Sequence, residues 1–192
     1  MIYFDNAATT LQKPACVVQA VTEAMCSLGN SGRGVHSSAL SASRIIYNTR
    51  AALAQLFGAE SPERIAFTAN STESLNMAIK GFLKPGDHCL VSSMEHNAVM
   101  RPLLQLAGVE FDRIPCDREG LLDPADIEPL IRPNTRLLVM AHGSNVCGAV
   151  QDAAAVGEIC KKHGIAFALD VAQTAGHIDI DFEGWGLSAL VA

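Results

Sequence analysis

The chain has 192 residues and a formal net charge of -6, with 49% apolar and 18% charged residues. This composition suits a globular chain with a sizeable core and argues against disorder, and the negative charge removes the electrostatic case for a nucleic acid partner. No apolar run approaches the ~20 residues of a membrane span, and the opening MIYFDNAATT has neither region of a signal peptide, so the expected location is cytoplasmic. The six cysteines, at 16, 26, 89, 116, 147 and 160, form no CxxC and no zinc spacing with histidine. Most are therefore expected to be buried, reduced thiols, and no metal site is expected.

In chain order, Tyr3–Thr10 is a short extended start followed by small residues that let a backbone approach a ligand. Pro14 opens a helix to about Leu28 with Val17, Val18, Val21 and Met25 on one face. The loop from Gly29 to Gly34 breaks it and is not a dinucleotide-type GxGxxG. His36 precedes a second helix, about Leu40–Phe57, which Gly58 stops. From residue 64 strands and helices alternate. Strands are expected at Arg64–Thr68, Cys89–Ser92, Val109–Ile114, Arg136–Ala141 and Ile165–Asp170, with another beginning at Leu187. Helices are expected at Ser71–Phe82, Asn97–Ala107, Pro124–Ile131 and Ala153–His163. Such alternation means an α/β fold, a mainly parallel sheet with helices on both faces in three layers.

Four strand ends carry the chemistry. In Thr68-Ala69-Asn70-Ser71-Thr72-Glu73, Asn70 caps a helix and Glu73 completes a capping box. The free amides and the Ser71 and Thr72 hydroxyls then make an anion site. His96, at a loop-to-helix junction, carries a ring that stacks on a flat ligand and titrates near neutrality. Asn145, among small residues, is placed to donate to a ligand oxygen. Asp170 and Gln173 follow the apolar run Ile165–Leu169. A carboxylate at a buried strand end costs several kcal/mol unless a cation meets it, and a protonated pyridine nitrogen is one such cation. Each feature alone also suits an ordinary cap, turn or surface residue. Their convergence on one sheet edge points to pyridoxal 5′-phosphate (PLP).

The motifs FDNAATT, RGVHSSA, FTANSTESLN, MEHNA, SNVCG and DVAQTAGH resemble, in order and over essentially the whole chain, the class V aminotransferase family of fold type I PLP enzymes, in its cysteine desulfurase and selenocysteine lyase branch. The resemblance implies the fold type I large domain over residues 31–192, preceded by an N-terminal segment and helix over residues 1–30. It implies that Asp170 pairs with the pyridinium nitrogen, Gln173 approaches the phenolic oxygen, and His96 stacks on the ring and moves protons. Ser71 and Thr72 would hold the phosphate and Asn145 would lie near the substrate carboxylate, with Ala7, Ala8 and His36 lining the substrate entrance. Asn70-Ser71-Thr72 departs from the family's Gly-Thr-Thr, and asparagine tolerates the positive φ a glycine there would take.

A larger departure is at the end. The family's Schiff-base lysine follows the strand that begins at Leu187, and its nucleophilic cysteine and carboxylate-binding arginine lie further on, so the chain reads as the N-terminal part of a longer enzyme and as inactive alone. The implied parent converts L-cysteine to L-alanine and a persulfide, as a homodimer, passing sulfur to an acceptor protein in iron–sulfur cluster assembly. Selenocysteine is the related substrate. Alternatives are another class V enzyme (an aminotransferase or a kynureninase-like hydrolase), a catalytically inactive short scaffold, and, weakest, a metal hydrolase using His96, Asp170 and His177.

Overall fold

The computed structural model describes residues 2–32 and 34–192; Met1, and Arg33 of the glycine loop and the RGVHSSA motif, lie outside the described residues. The chain divides into two compact units, one ending at Ala66 and one spanning Phe67–Ala192. The 30/31 boundary drawn at the glycine loop lies inside the first unit.

In the first unit, α1 (Ala15–Ser27) starts behind Pro14, whose φ of -55° is already suited to a helix start. It buries no residue: Val17, Val18, Val21 and Met25 are all exposed, Met25 to 82%. Helix α2 (Ser37–Phe57) is capped by His36 and stopped by Gly58, whose φ of +63° is the left-handed conformation that ends helices. The strand expected at Arg64–Thr68 does not form. Pro62–Arg64 is a 3-10 turn, and the extended segment after it has no neighbouring strand to exchange ladder bonds with among the described residues.

The second unit is a five-stranded sheet of β1 (His88–Ser92), β2 (Glu110–Ile114), β3 (Thr135–Ala141), β4 (Ala166–Asp170) and β5 (Ala189–Val191). All pairs are parallel, in the order β2-β1-β3-β4-β5. Strand residues alternate between faces. Cys89, Val91, Leu137, Val139 and Ala168 pack with Leu75, Ile79 and Leu83 of α3 (Ser71–Phe82) and with Val99 and Leu103 of α4 (Asn97–Gln105). The alternate residues Leu90, Leu138, Met140, Phe167 and Leu169 are equally buried, and α5 (Ala153–His163) packs on β4 with Val156 and Cys160 buried. Both sheet faces are thus apolar, which is what a parallel sheet between helical layers requires. The helix expected at Pro124–Ile131 is two 3-10 turns, Pro124–Asp126 and Glu128–Leu130, because Pro129 cannot donate the bond an α-helix needs there. Among the described residues only Cys89 and Cys160 are buried. Cys16 and Cys26 ride on exposed α1 and Cys147 on an exposed loop, so the expectation of mostly buried thiols fails.

At the strands' N-terminal edge, buried His88 bonds Thr135 through Nδ1 at 2.8 Å and faces Asp112 at 3.3 Å, while Arg132 pairs with Asp112 at 2.6 Å and Glu110 at 2.5 Å. That network closes the edge away from the candidate site. No helix among the described residues is long and apolar enough to cross a membrane.

Gly157 lets α5 approach the chain at Trp185, whose carbonyl oxygen lies 1.9 Å from where a Cβ would stand. Alanine gains up to ~1 kcal/mol of helix propensity, but overpacking against backbone costs about 1–3 kcal/mol. Gly157→Ala is therefore expected to lower the denaturant midpoint; an unchanged or raised midpoint would contradict this packing.

Candidate active site at the strand ends

The sheet order creates the site. After β1 the chain turns outward to β2, and after β3 it turns the other way to β4, so the loops leaving β1 and β3 part company and open a crevice at their carboxyl ends. Ligands of open α/β sheets bind at such switch points. Helix α3 enters β1 through the short link 83–87, so its C-terminal end lies with the strands' N-termini and its N-terminal end lies with their C-termini.

At that end of α3, Asn70 Oδ1 accepts from the Glu73 amide at 2.9 Å, and Glu73 Oε2 accepts from the Ala69 amide at 2.7 Å. Thr68 Oγ1 meets Ser74 Oγ at 2.6 Å and fixes the turn from beneath. The cap uses the Glu73 and Ser74 amides, leaving those of Ser71 and Thr72, with their hydroxyls, for a ligand. Asn70 has φ -170°, ordinary extended backbone. The positive φ anticipated from the family's glycine is not used.

The loop after β1 is pinned on two sides. The Ser93 amide donates to Ile114 O at 2.9 Å and Ser93 Oγ accepts from the Cys116 amide at 3.1 Å, tying it to β2. On the other side Glu95 Oε1 accepts from Ser92 Oγ at 2.6 Å and from the Ala141 amide, at the end of β3, at 2.9 Å. His96 emerges between these ties as the exposed N-cap of α4, its Nδ1 accepting from the Ala98 amide at 3.1 Å. With Nδ1 accepting, the neutral tautomer of this ring carries its proton on Nε2. Burial, with a contribution from the Asp170 charge, pushes the Glu95 carboxyl up to about 7, against the Ser92 and Ala141 hydrogen bonds that pull it down. Its Oε2 is buried without a hydrogen-bond partner.

Asp170 ends β4, 8% exposed. Its Oδ1 accepts from the Ala172 amide at 3.0 Å, and no salt bridge reaches it among the described residues. Burial raises its carboxyl above the usual range, while the Ala172 amide and nearby His96 oppose this. Beside it, His142 is buried, held by Thr174 Oγ1 at 2.8 Å and edge-on to Trp185 at 5.5 Å, and burial lowers its pKa below the ordinary imidazole value. Gly143 lies so close to Thr174 and Gln173 that a Cβ would stand 2.7 Å and 3.5 Å from them. This brings the Asn145 loop against the turn carrying Gln173. Asn145 itself is exposed and Gln173 half-buried.

The residues expected at the site thus divide. His96 and Asp170 interact electrostatically, Gln173 lies against the loop of Asn145, and Ser71 and Thr72 stand at a helix end on the same sheet edge. Ala7, Ala8 and His36 belong to the first unit. There Ala8 lies in a turn closed by its amide on Asp5 O at 3.1 Å, and His36 caps α2 with Nδ1 2.8 Å from Ser38 Oγ. Glu95 was not anticipated. It sits inside the MEHNA motif, but a loop glutamate ordinarily reads as solvated, and no spacing pairs residue 95 with residue 141.

The fit of PLP rests on two features: a buried carboxylate lacking an ion pair, which suits a pyridinium, and spare helix-terminal donors, which suit a phosphate. The four lysines of the second unit (Lys80, Lys84, Lys161 and Lys162) sit at the ends of α3 and α5 that lead into β1 and β4, at the opposite sheet edge. Lys161 and Lys162 are there engaged with Glu158 and Glu128.

The family model for aminotransferase class-V matches residues 2–192. A probable cysteine desulfurase of Methanothermobacter thermautotrophicus is 35% identical over 189 residues, 96% of this chain and 47% of that protein. The apo structure of a cysteine desulfurase from Thermococcus onnurineus NA1 superposes with a TM-score of 0.91 at 35% identity, covering 98% of this chain and 48% of that one. The structure of SspA in complex with cysteine gives a TM-score of 0.91 at 31% identity, covering 98% and 56%. The chain spans about half the length of the curated relatives it matches.

Two outcomes follow from this geometry. Asn70→Ala removes the acceptor for the Glu73 amide and should cost about 1 kcal/mol, seen in the denaturant midpoint, with Asn70→Ser largely sparing it. For Glu95 the folded pKa of about 7 stands above the ordinary 4.5. Its stabilising contribution is therefore full below about pH 4.5 and lost as pH rises through 7, on the order of 3 kcal/mol in all. Buried Asp170 acts in the same direction. The ligand-free protein should lose stability between pH 5 and pH 8, and Glu95→Gln should flatten that slope; an equal slope in the variant would rule out Glu95 as its source.

Proposed function

This chain belongs to the class-V aminotransferase family, and from that premise we propose that the protein carrying it is a PLP-dependent cysteine desulfurase of which these residues form the N-terminal, cofactor-binding part. The observation that carries the reading is Asp170, a carboxylate buried at a strand end without an ion pair, on the same sheet edge as the free amides of α3. Bound there, PLP supplies an electron sink for the substrate's α-carbon. Asp170 holds the ring nitrogen protonated. Ser71 and Thr72 receive the phosphate through amides and hydroxyls, reinforced by the helix dipole. Gln173 donates to the ring's phenolic oxygen, Asn145 orients the substrate carboxylate, and His96 covers the ring and moves a proton at Nε2.

The substrate class is L-cysteine, with selenocysteine its close analogue, and the products are L-alanine and a protein persulfide. The names of the relatives support this choice, as does the cysteine in the SspA complex. The same reading makes the protein a cytoplasmic homodimer that hands sulfur to an acceptor protein for iron–sulfur clusters. The uncovered apolar face of α1 suits an assembly contact. Because the second unit presents no lysine at the ligand edge, residues 1–192 alone are expected to hold PLP weakly and without covalent attachment.

In the full-length protein, L-cysteine with a reductant should yield sulfide and L-alanine in equal amounts, and keto-acid release instead would favour an aminotransferase. Asp170→Ala, which removes one side of a buried charge pair worth about 3–5 kcal/mol, should lower turnover by about 10²- to 10³-fold and weaken PLP binding. Turnover at the parental rate would sink the assignment. For residues 1–192 alone, borohydride treatment with PLP should leave no pyridoxyl adduct by mass spectrometry, and an adduct at one defined lysine would overturn the account of the ligand edge.

A further inference from the structure

Glu95 asks for an explanation that the proposed reaction does not provide. Its Oε1 accepts two hydrogen bonds, one from Ser92 Oγ at the end of β1 and one from the Ala141 amide at the end of β3. These two strands separate at the switch point, so the Ala141 amide is answered by a side chain there. Oε2, by contrast, is buried with no partner. An ionised carboxylate with one oxygen buried and unpartnered would be strongly disfavoured. A carboxylic acid fits better: Oε1 is its accepting oxygen and Oε2 bears the proton. The groups around it agree. From β1 come the Ser92 hydroxyl and buried Cys89, whose thiol is itself raised by burial and by Glu95. From β3 comes an amide, from β4 the like charge of Asp170, and from the start of α4 the His96 ring. No lysine or arginine is among them.

The consequence lies one residue on. His96 follows Glu95 directly, and its ring is set by the Ala98 amide on one side and by the path of residues 92–95 on the other. Ser93 ties that path to β2, and Glu95 alone among its side chains ties it to β3.

We propose that Glu95, as a neutral carboxylic acid bridging the ends of β1 and β3, is the positioning residue that holds His96 over the ligand edge. This inference rests on the proposed function for the role of His96, but its central measurement does not. Glutamine keeps an accepting Oε1 and puts an N–H group where the acid carries its proton. Alanine leaves the Ala141 amide without an acceptor. Aspartate is one methylene too short to reach both strands.

The test uses the full-length protein, with the His96 ring followed by nitrogen NMR, its signals identified by their loss in His96→Gln. Glu95→Ala should displace the His96 signals in the ligand-free protein and lower kcat by roughly 10- to 100-fold, with KM for L-cysteine and PLP affinity within about threefold. Glu95→Gln should return both the signals and most of kcat. If Glu95→Ala left the His96 signals in place, or if Glu95→Gln displaced them as far as alanine does, the inference would be overturned. Should Glu95→Ala not fold, the other two variants decide. A parental His96 signal in Glu95→Gln with a displaced one in Glu95→Asp supports the role, and the same signal in both removes it. A protein that releases no sulfide would refute the proposed reaction and leave the His96 measurement as decisive as before.

Discussion

A carboxyl group at the buried end of a strand has to be neutralised, hydrogen-bonded or met by a cation, and the ligand edge of this sheet holds two of them. Glu95 takes the first two routes, accepting from Ser92 and Ala141 while burial holds its proton. Asp170 takes a hydrogen bond from Ala172 and, among the described residues, no salt bridge. Its burial becomes tolerable when a cationic ligand arrives. The difference between the two groups follows from where they stand. Glu95 bridges the ends of β1 and β3, and Asp170 ends β4, on the other side of β3. The Asp170 charge raises the proton affinity of Glu95, so a neutral Glu95 avoids placing a second like charge in the same small volume.

Around this pair the backbone is held by side chains at the points where strand ladders end. Ser93 ties the β1 loop to β2, and Glu95 ties it to β3. Gln151 joins the chain at Gly120 and Leu122 to the neighbourhood of His142 through three hydrogen bonds of 2.7–2.9 Å. Gly143, with no side chain, allows the β3 loop to close on Thr174 and Gln173. The candidate site residues of the second unit therefore sit on short, pinned loops at the sheet edge, an arrangement that limits the ordering cost of binding a ligand. At the opposite edge Asp112 is met by both Arg132 and His88.

Much of this was legible in the residues. Helices α3 and α5 fall at the expected bounds because each has a side-chain N-cap, from Asn70 and Asp152, and a clear end, an extended Leu83 and a left-handed Gly164. Strands β1, β3 and β4 were readable as mainly apolar runs because both sheet faces are buried there, whereas edge strand β2 buries only Ile114. Arg64–Thr68 was not. Its apolar residues suit a strand, but a strand exists only as hydrogen bonds to a neighbour, and composition does not reveal whether one is present. Pro124–Ile131 looked helical until Pro129 divided it. The face of α1 was visible as a pattern, yet the pattern did not say whether anything covers it.

The sequence by itself determined the chemistry available at the candidate site: a capped helix start with hydroxyls at Asn70–Thr72, an imidazole at residue 96, a carboxylate and an amide at 170 and 173, and the ordered motifs that place the chain in its family. These are properties of local segments, set by capping, turn formation and residue type, and they survive being read one window at a time. Tertiary structure alone decided the strand order β2-β1-β3-β4-β5, and with it the switch point between β1 and β3. It alone brought Glu95 to the Ala141 amide 46 residues away, and so turned a loop glutamate into a buried acid. The physical reason is that burial and the dielectric around a charge are set by groups distant in the chain, so whether a carboxyl is a solvated surface group or a proton held in a seam is settled only when the sheet has formed.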